Sequence, residues 1–334
     1  MYSKFFFSLE LTKPQKSTAA GSLTCITAKE TPGLVNISFA NLRLKKRGSL
    51  APVWHPNANK IGCCLEGNIL VSIRTPLRAE LFTVKKGEIF FIPQGYVHHI
   101  ENLDENESTI AFALNHATPE TMYLSKAVYS ISDSVFNSTF NTQTGFVDGL
   151  KKSKNEELTK TLPFLTKIPG PIGSPYKFDI EDSKKAILTK GGYVQLGTKT
   201  NLPALQGLGI LRFGLNPKGI VEPHWHTNAG ELVYIVKGKT RITVLSPEGN
   251  ADVLEVKGGE GAFAPASYFH NIENIGPDEV EVVAFFSHEE PDYIGIGEVM
   301  GSLSNELLTS VFNTPPNYWD AFKKTEKPLV IVPV

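Results

Sequence analysis

The chain repeats itself once, at a distance of about half its 334 residues. The segment Gly21–Thr27 returns as Gly192–Thr198, 171 residues later, with the glycine and the threonine in register. The same offset aligns Trp54-His55 with Trp225-His226 without a gap. Chance does not produce agreement at so many positions, and a duplicated unit of this size predicts two domains with the same architecture.

A second block of the repeat and a connector between the copies indicate where the domains meet. The block Gly87–Asn102 matches Gly259–Asn274 at an offset of 172 residues. The connector is Ile168–Pro175, whose prolines and glycines interrupt both helices and strand ladders. We therefore expect an N-terminal domain at residues 1–165 and a C-terminal domain at residues 166–334.

Within each copy, the short apolar segments have the character of β-strands. Asn68–Arg74 and Thr240–Leu245 are rich in β-branched residues, alternate in part, and are bounded by glycine, proline or asparagine. Helical segments are expected after each β block, at about 145–160 and 304–324. The pattern predicts an all-β fold with accessory helices, in which two β-sandwich or barrel units are each followed by helices.

Composition excludes two classes of partner. The 33 basic and 34 acidic residues give a net charge of −1, so there is no electrostatic case for binding nucleic acid. No run approaches the roughly 20 apolar residues that span a bilayer, so we expect no membrane span. The three cysteines cannot form a disulfide framework, and Glu10 and Lys13 interrupt the apolar N-terminal stretch before it reaches the length of a secretory leader. We therefore expect a cytoplasmic protein.

Histidines concentrate in the repeated motifs. Five of the eight stand at equivalent places, namely His55 and His98 in the first copy and His224, His226 and His270 in the second. His224 and His226, two residues apart on an extended strand, point to one face, and Glu231 and His270 can complete the set. Three imidazoles and one carboxylate are typical of a divalent first-row metal with open coordination positions. The residue types alone leave manganese, iron, nickel, cobalt and zinc open.

The second copy resembles the cupin family in two motifs, Gly219-x4-His224-x-His226-x4-Glu231-x6-Gly238 and Gly259-x5-Pro265-x-Ser267-x2-His270-x3-Asn274. In the first copy, Trp54–Asn59 is similar to the bicupins of the oxalate decarboxylase group. The resemblance covers nearly the whole chain. It implies two tandem cupin domains, each a jelly-roll-like double-stranded β-helix, with a metal in the barrel mouth that is usually manganese, and a homo-oligomer.

Two ligand positions of the first copy carry residues that cannot hold a metal. Val53 stands where the resemblance places the first histidine, and Lys60 stands where it places the glutamate. A protonated lysine has no lone pair to donate and repels a cation, so we predict a single metal site, in the second copy. Two interpretations of Lys60 stay open. Its ammonium replaces the charge of the metal and bonds to His55 or a carboxylate, or its amine forms a Schiff base at a lowered pKa.

Residues that the resemblance implies for decarboxylation are altered. Oxalate decarboxylases hold the substrate with an arginine three residues before the first ligand histidine, and this chain has Val221 and Leu50 there. The family also carries an acidic proton donor, on a late strand or on a lid after the second motif, and the late-strand place holds Ala284. Our candidates for acid–base catalysis are therefore the lid residues His288, Glu289, Glu290 and Asp292 of the second copy and Glu120 of the first.

The sequence thus predicts a metal-binding bicupin that resembles oxalate decarboxylases and decarboxylates or oxidises a small carboxylic acid or another oxygenated small molecule. Two alternatives stay open. One is a non-enzymatic cupin that binds a small ligand or a metal as a sensor or a store. The other is a different cupin chemistry, such as a dioxygenase or an isomerase, which an apolar pocket around Phe263, Phe285 and Phe286 would favour.

Overall fold

The computed structural model describes residues 3–143, 145–151, 159–168, 170–315, 317–325 and 327–333. Contacts between residues divide the chain into two compact units. The N-terminal unit consists of Lys13–Ile26 and Ser38–Asp179, and the C-terminal unit consists of Met1–Thr12, Thr27–Ile37 and Ile180–Val334.

The elements of the first half follow one another in the order β1 (Phe6–Ser8), β2 (Lys16–Thr18), β3 (Gly21–Ile26), β4 (Ser38–Leu44), β5 (Gly48–Trp54), β6 (Lys60–Glu66), β7 (Asn68–Arg74), β8 (Ala79–Lys85), β9 (Glu88–Ile92), β10 (Val97–Asn102), β11 (Ser108–Leu114), β12 (Met122–Tyr123), α1 (Leu124–Ser130), α2 (Asp133–Phe140), α3 (Phe146–Lys151), β13 (Thr159–Thr161) and β14 (Lys177–Asp179).

Those of the second half are β15 (Ile187–Thr189), β16 (Gly192–Gly197), β17 (Gly209–Leu215), β18 (Gly219–Trp225), β19 (Glu231–Lys237), β20 (Lys239–Leu245), β21 (Ala251–Lys257), β22 (Glu260–Ala264), β23 (His270–Asn274), β24 (Val280–Phe286), β25 (Ile294–Gly295), α4 (Ile296–Ser302), α5 (Asn305–Phe312), a 3-10 helix (Tyr318–Ala321) and β26 (Ile331–Pro333).

Each unit contains two antiparallel sheets. In the N-terminal unit the strand orders are β14-β9-β6-β11-β4-β3-β2 and β12-β5-β10-β7-β8, and β13 also pairs with β5. In the C-terminal unit they are β1-β22-β19-β24-β17-β16-β15 and β21-β20-β23-β18-β25, and β26 also pairs with β18. Among the described residues no ladder joins the two sheets of a unit into one closed barrel. The predicted all-β, jelly-roll-like fold with accessory helices is confirmed.

The core of the N-terminal unit lies between its two sheets. Buried residues of β4, β6, β9 and β11 pack in one cluster with buried residues of β5, β7, β8 and β10. Alternation along the strands decides which side chains face inward. In β10, His98, Ile100 and Asn102 are buried while His99 and Glu101 are partly exposed. The equivalent strand β23 buries His270, Ile272 and Asn274 in the same way, so the histidine of each motif faces the interior of its unit.

The helices start earlier than the sequence pattern suggested. Of the expected segment 145–160, only α3 is helical among the described residues, and residues 152–158 lie outside them. The end of that segment is a strand, because β13 pairs with β5. The helices α1 and α4 were not predicted, whereas α5 and the 3-10 helix do lie within 304–324. No helix among the described residues is long and apolar enough to cross a membrane.

Short N-terminal segments pack in the C-terminal unit. Strand β1 pairs with β22, and both Phe5, which precedes the strand, and Phe7, within it, are buried. A Cβ at Gly261 would lie 2.2 Å from the Phe7 ring, so only glycine allows this close approach. The observed units differ in two respects from the expected division into 1–165 and 166–334. Residues 1–12 and 27–37 belong to the C-terminal unit, and residues 166–179 belong to the N-terminal unit.

A capping serine begins α5, and its removal is expected to cost about 1 kcal/mol. The Ser304 hydroxyl accepts a hydrogen bond from the Leu307 N–H, which otherwise lacks a helical partner. We expect Ser304→Ala to lower the free energy of unfolding of the C-terminal unit by that amount in denaturant titrations. Ser304→Asp, which keeps an acceptor at the cap, should lose less than half as much. Equal losses in the two variants would contradict a capping role.

Candidate metal centre

Four buried side chains converge inside the C-terminal unit. His224 lies near the end of β18 and His226 directly follows that strand, while Glu231 begins β19 and His270 begins β23. Strand pairing places His224 opposite His270. One nitrogen or oxygen atom from each of the four lies within 4.8 Å of the others, and the four residues are 2–4% exposed. Within the described part of the chain, no other group of three or more histidine, cysteine, aspartate or glutamate side chains lies close enough together to hold a metal ion.

Glu231 is at the centre of the cluster. Its Oε2 lies 2.8 Å from His270 Nε2, 3.0 Å from His226 Nε2 and 3.6 Å from His224 Nε2. All three imidazoles therefore direct the same nitrogen, Nε2, toward one carboxylate oxygen. A single ion placed among these atoms would meet three nitrogen ligands and one oxygen ligand.

Backbone carbonyls hold the other nitrogen of every imidazole. His224 Nδ1 donates to Glu222 O at 2.7 Å, His270 Nδ1 donates to Tyr268 O at 2.8 Å, and His226 Nδ1 donates to Asp292 O. A carbonyl can only accept, so each Nδ1 carries a proton, and in the neutral form of each ring the lone pair lies on Nε2 and faces the cluster. Three lone pairs and a carboxylate oxygen then face one another without a proton between them. A divalent cation satisfies such a set of donors, so the residues fit a metal.

The protonation states also suit a metal. Burial lowers the pKa of His224 to about 4, and the neighbouring His270 ring adds to this effect. Burial acts to raise the pKa of Glu231, but the surrounding imidazoles of His224, His226 and His270 outweigh it and hold that pKa well below its usual value. Neutral His224 and an ionised carboxylate are therefore the forms present at neutral pH, as ligation requires.

Aromatic side chains enclose the histidines. The Tyr293 ring stacks on His224, with centroids 4.5 Å apart and an angle of 16° between the planes, and its hydroxyl donates to Glu222 Oε1 at 3.4 Å. Burial and the neighbouring Glu222 raise the pKa of Tyr293, so it stays a neutral phenol. The Phe286 ring meets His226 edge-on at 4.9 Å. Sequence reasoning missed Tyr293 and Glu222, although each lies within two residues of a residue that it singled out.

Residues 287–293, which we call the cover segment, close over the end of β18. Asn228 holds this segment through two hydrogen bonds, one from its Nδ2 to Glu290 O and one from the Asp292 N–H to its Oδ1. The bond from His226 Nδ1 to Asp292 O adds a third point of attachment. The cover segment is therefore fixed through its backbone to His226 and Asn228.

The acids of the cover segment bind groups other than the four candidate ligands. Glu290 Oε1 accepts hydrogen bonds from the Thr200 N–H at 2.6 Å and the Thr200 hydroxyl at 2.9 Å. Asp292 Oδ2 accepts from the Thr227 hydroxyl at 2.7 Å, and His288 Nδ1 lies 3.1 Å from the Glu290 N–H. Glu289 accepts from the Gly207 N–H at 2.6 Å, which contributes to a lowered pKa. Catalytic roles for these side chains stay predictions.

The equivalent place in the N-terminal unit keeps two histidines but holds a lysine instead of the carboxylate. His55 Nδ1 donates to Glu120 O at 2.9 Å, as His226 does to Asp292 O, so Glu120 and Asp292 are equivalent. The Glu120 side chain is exposed and belongs to the N-terminal unit. Lys60 Nζ lies 3.4 Å from His98 Nε2, so the lysine bonds to His98. The expected partner was His55 or a carboxylate, and neither bonds to Lys60 among the described residues.

Apolar residues occupy the positions of the substrate-holding arginine. Val221 in β18 and Leu50 in β5 are both buried. Neither side chain can hydrogen-bond a carboxylate. A substrate in the C-terminal unit therefore has no charged partner from this position.

Comparison with known proteins identifies the family. The Cupin family profile matches residues 7–148 and 178–318. The oxalate decarboxylase OxdC of Bacillus subtilis (strain 168) is 23% identical over 313 residues, which cover 91% of this chain and 81% of the relative. Germin-like protein 8-5 of Oryza sativa subsp. japonica is 32% identical over 158 residues, covering 44% of this chain and 70% of the relative.

Solved structures show the same fold. The structure of oxalate decarboxylase from Bacillus subtilis at pH 4.6 superposes with a TM-score of 0.86 at 20% identity, covering all of this chain and 88% of that one. With two profile matches, two jelly-roll units and one buried cluster of three histidines and a glutamate, the chain belongs to the cupin family, as a metal-binding bicupin that resembles oxalate decarboxylases.

Proposed function

We propose that the protein is a metal-dependent bicupin that binds a small carboxylate, or another oxygenated small molecule, in the C-terminal unit and decarboxylates or oxidises it. The observation that carries this proposal is the set of three Nε2 lone pairs directed at the buried Glu231 carboxylate. His224, His226, Glu231 and His270 would hold one divalent first-row metal ion. We propose manganese, because the structurally similar oxalate decarboxylase of Bacillus subtilis has Mn(II) centres, and iron, nickel, cobalt or zinc are the alternatives.

The metal, when bound, polarises the oxygens of a ligand and lowers the pKa of water. The surrounding residues of this chain determine what reaches it. Phe286 and Tyr293 cover two of the imidazoles and limit the access of water. Because Val221 offers no charge, a substrate would be held mainly through one carboxylate rather than clamped at both ends. This favours a small monocarboxylate over a dianion.

Proton transfer would use residues of the cover segment. We propose Glu290, Asp292 and His288 as the candidate acids and bases of the C-terminal unit, and Glu120 as the equivalent candidate of the N-terminal unit. For Glu290 to reach a substrate, its side chain has to exchange the two hydrogen bonds from Thr200 for contacts in the site. Opening the cover segment at Asn228 would permit this change.

A second candidate function is a non-enzymatic cupin that binds a metal or a small ligand as a sensor or a store. It is favoured by the acids of the cover segment, which are bound to Thr200 and Thr227, and by the apolar residue at position 221. A dioxygenase or isomerase is a further alternative. The full burial of Phe285 and Phe286 on the strand that ends beside the site supports it.

Metal content tests the site directly. For protein purified without chelators, we expect elemental mass spectrometry to find one divalent metal ion per chain. His224→Ala should lose at least nine tenths of that metal, because it removes one of four ligands. The matched control His288→Ala should keep the metal, because the His288 ring hydrogen-bonds to Glu290 within the cover segment rather than to Glu231. Unchanged metal in His224→Ala would contradict the assignment.

Turnover separates the enzymatic candidates from the binding protein. Oxalate and monocarboxylates such as glycolate would be supplied to the metal-loaded protein with and without oxygen, and products would be measured. Glu290→Gln is expected to lower turnover by about 100-fold while the metal content stays unchanged, because a neutral amide cannot transfer the proton. A fully loaded protein that turns over none of these acids would favour the sensor or store.

Exposed apolar residues on equivalent helices support the proposed homo-oligomer. Val135 and Phe140 of α2 are more than half exposed, as are Val311 and Phe312 of α5. Apolar patches of this kind often mark surfaces between protein chains. Light scattering on the purified protein measures the mass of the assembly, and a mass of one chain would contradict this proposal.

The cytoplasm is our proposed location. The three cysteines, Cys25, Cys63 and Cys64, form no disulfide bond in the described part of the chain, and burial raises the pKa of Cys64 so that it stays protonated. Cysteines that are not paired in disulfides suit a reducing compartment. Cell fractionation tests this proposal.

A further inference from the structure

A second polar cluster lies inside the N-terminal unit, and the proposed function does not use it. Its members are Lys60 at the start of β6, His98 in β10 and His55 directly after β5, and we call it the lysine–histidine cluster. Lys60 is 5% exposed, His55 8% and His98 1%. A lysine this deeply buried is unusual unless it is paired.

The two imidazoles keep the arrangement that they have in the metal centre. The His55 and His98 rings are 5.5 Å apart at 43°, and the equivalent rings of His226 and His270 are 5.7 Å apart at 42°. His98 Nδ1 donates to Tyr96 O at 3.1 Å, and His55 Nδ1 donates to a carbonyl as well. Both Nε2 atoms therefore present lone pairs, as they do in the metal centre.

Hydrogen bonding in the cluster is incomplete. Lys60 Nζ donates to His98 Nε2 at 3.4 Å and lies 4.1 Å from the centre of the Phe112 ring. An ammonium has three N–H donors, so this leaves donors without an acceptor among the described residues. His55 Nε2 is buried and has no hydrogen-bond partner in the part of the chain that the structure describes. The cluster thus contains spare donors on Lys60 and one spare acceptor on His55.

The charge of Lys60 is also unbalanced. No carboxylate among the described residues forms an ion pair with it, and the Phe112 ring compensates only part of a buried charge. Burial, with a contribution from the charge of Lys60, lowers the pKa of His55 to about 3, and the pKa of His98 is also well below its usual value. The imidazoles are therefore neutral. Burial lowers the pKa of Lys60 to about 8, so the ammonium still predominates at pH 7.

We propose that the lysine–histidine cluster binds, without a metal, a small oxyanion that carries its own hydroxyl, such as a 2-hydroxycarboxylate or bicarbonate. A carboxylate oxygen accepts from Lys60 and balances its charge, and the hydroxyl donates to His55 Nε2. A metal cation would be repelled by the ammonium, whereas a neutral molecule would leave the charge unbalanced. This site lies in the N-terminal unit and does not depend on the proposed function of the C-terminal unit.

Calorimetric titration with sodium glycolate tests the proposal. In His224→Ala, where the metal centre is removed, we expect one glycolate to bind per chain at pH 7. Adding Lys60→Met should weaken this binding at least tenfold, and Lys16→Met, at an exposed lysine of β2, should leave it unchanged. If His224→Ala does not fold, the wild-type protein loaded with metal serves instead, with two glycolates expected per chain and one after Lys60→Met.

The hydroxyl group of glycolate provides a second test, which compares the binding affinities of glycolate and acetate. Acetate, which cannot donate to His55, is expected to bind about 5–10-fold more weakly than glycolate, the value of roughly one hydrogen bond. His55→Phe should remove this difference. Absence of glycolate binding in a folded His224→Ala, or binding that Lys60→Met leaves unchanged, would overturn the proposal. Equal affinities for acetate and glycolate would overturn the part assigned to His55.

Discussion

Val53→His combined with Lys60→Glu is expected to raise the metal content from one to two ions per chain. These substitutions supply the two ligands that the first copy lacks, and the remaining two are already in place. The His55 and His98 rings have nearly the same separation and angle as His226 and His270. Backbone carbonyls fix their Nε2 atoms as donors to a metal.

Strand register supports the same prediction. Val53 is opposite His98, as His224 is opposite His270. A histidine at position 53 would therefore stand in the same relation to the second motif as the natural ligand does in the C-terminal unit. Lys60 begins β6 in the same way that Glu231 begins β19, so a glutamate there starts from the equivalent backbone position.

Two variants that each lack part of the ligand set are the controls for this design. Val53→His alone keeps the ammonium of Lys60, which repels a cation, and should stay at one metal ion per chain. Val53→His with Lys60→Gln removes the charge but supplies no carboxylate, and should bind the second metal much more weakly. Elemental mass spectrometry measures all three variants. If the folded variant with both Val53→His and Lys60→Glu retained only one metal ion, the N-terminal unit would have lost more than two ligands.

The ligands of the metal centre could be predicted because their arrangement is local. His224 and His226 share a face through the period-two alternation of a strand, and Glu231 follows at the start of the next strand. The repeat then identified His270 from its counterpart His98. The same comparison between copies showed that Val53 and Lys60 disrupt the N-terminal site, because a missing ligand is visible in the sequence itself.

Contacts between distant segments were not predictable. The pairing of β1 with β22 joins residues about 250 positions apart, and no periodicity indicates such a partner. The orientation of Glu290 depends on Thr200, 90 residues away, and that of Tyr293 depends on Glu222, 71 residues away. Lys60 turned toward His98 and the Phe112 ring, where the second copy has Ala284. Side-chain direction in each case follows from a partner that only the folded chain supplies.

Lys60→Met is expected to raise the free energy of unfolding of the N-terminal unit by about 3 kcal/mol at pH 7 in a buffer without carboxylates. Burial lowers the pKa of Lys60 from its ordinary value of 10.5 to about 8 in the folded chain. A buried charge without a partner costs stability, and methionine fills a similar volume beside the Phe112 ring without that charge.

The dependence on pH distinguishes this charge effect from better packing. Between pH 8 and 10.5 the unfolded chain binds more protons at Lys60 than the folded chain, so the wild-type protein gains stability as the pH rises through this range. Below pH 8 the full cost is present. The advantage of Lys60→Met should therefore be largest at pH 7 and small at pH 10.5, in denaturant titrations at both values, with Lys16→Met as the control.

Glycolate connects this prediction with the proposed anion site. An anion that binds the folded protein through Lys60 stabilises the wild type by mass action and leaves Lys60→Met unaffected. The difference in stability between the two proteins at pH 7 should therefore shrink as glycolate is added, while acetate at the same concentration should reduce it less. A gain in Lys60→Met that is equal at pH 7 and 10.5 would mean that Lys60 is not a strained buried cation. A loss of stability in that variant would mean that its contacts with His98 and Phe112 outweigh the cost of burying the charge.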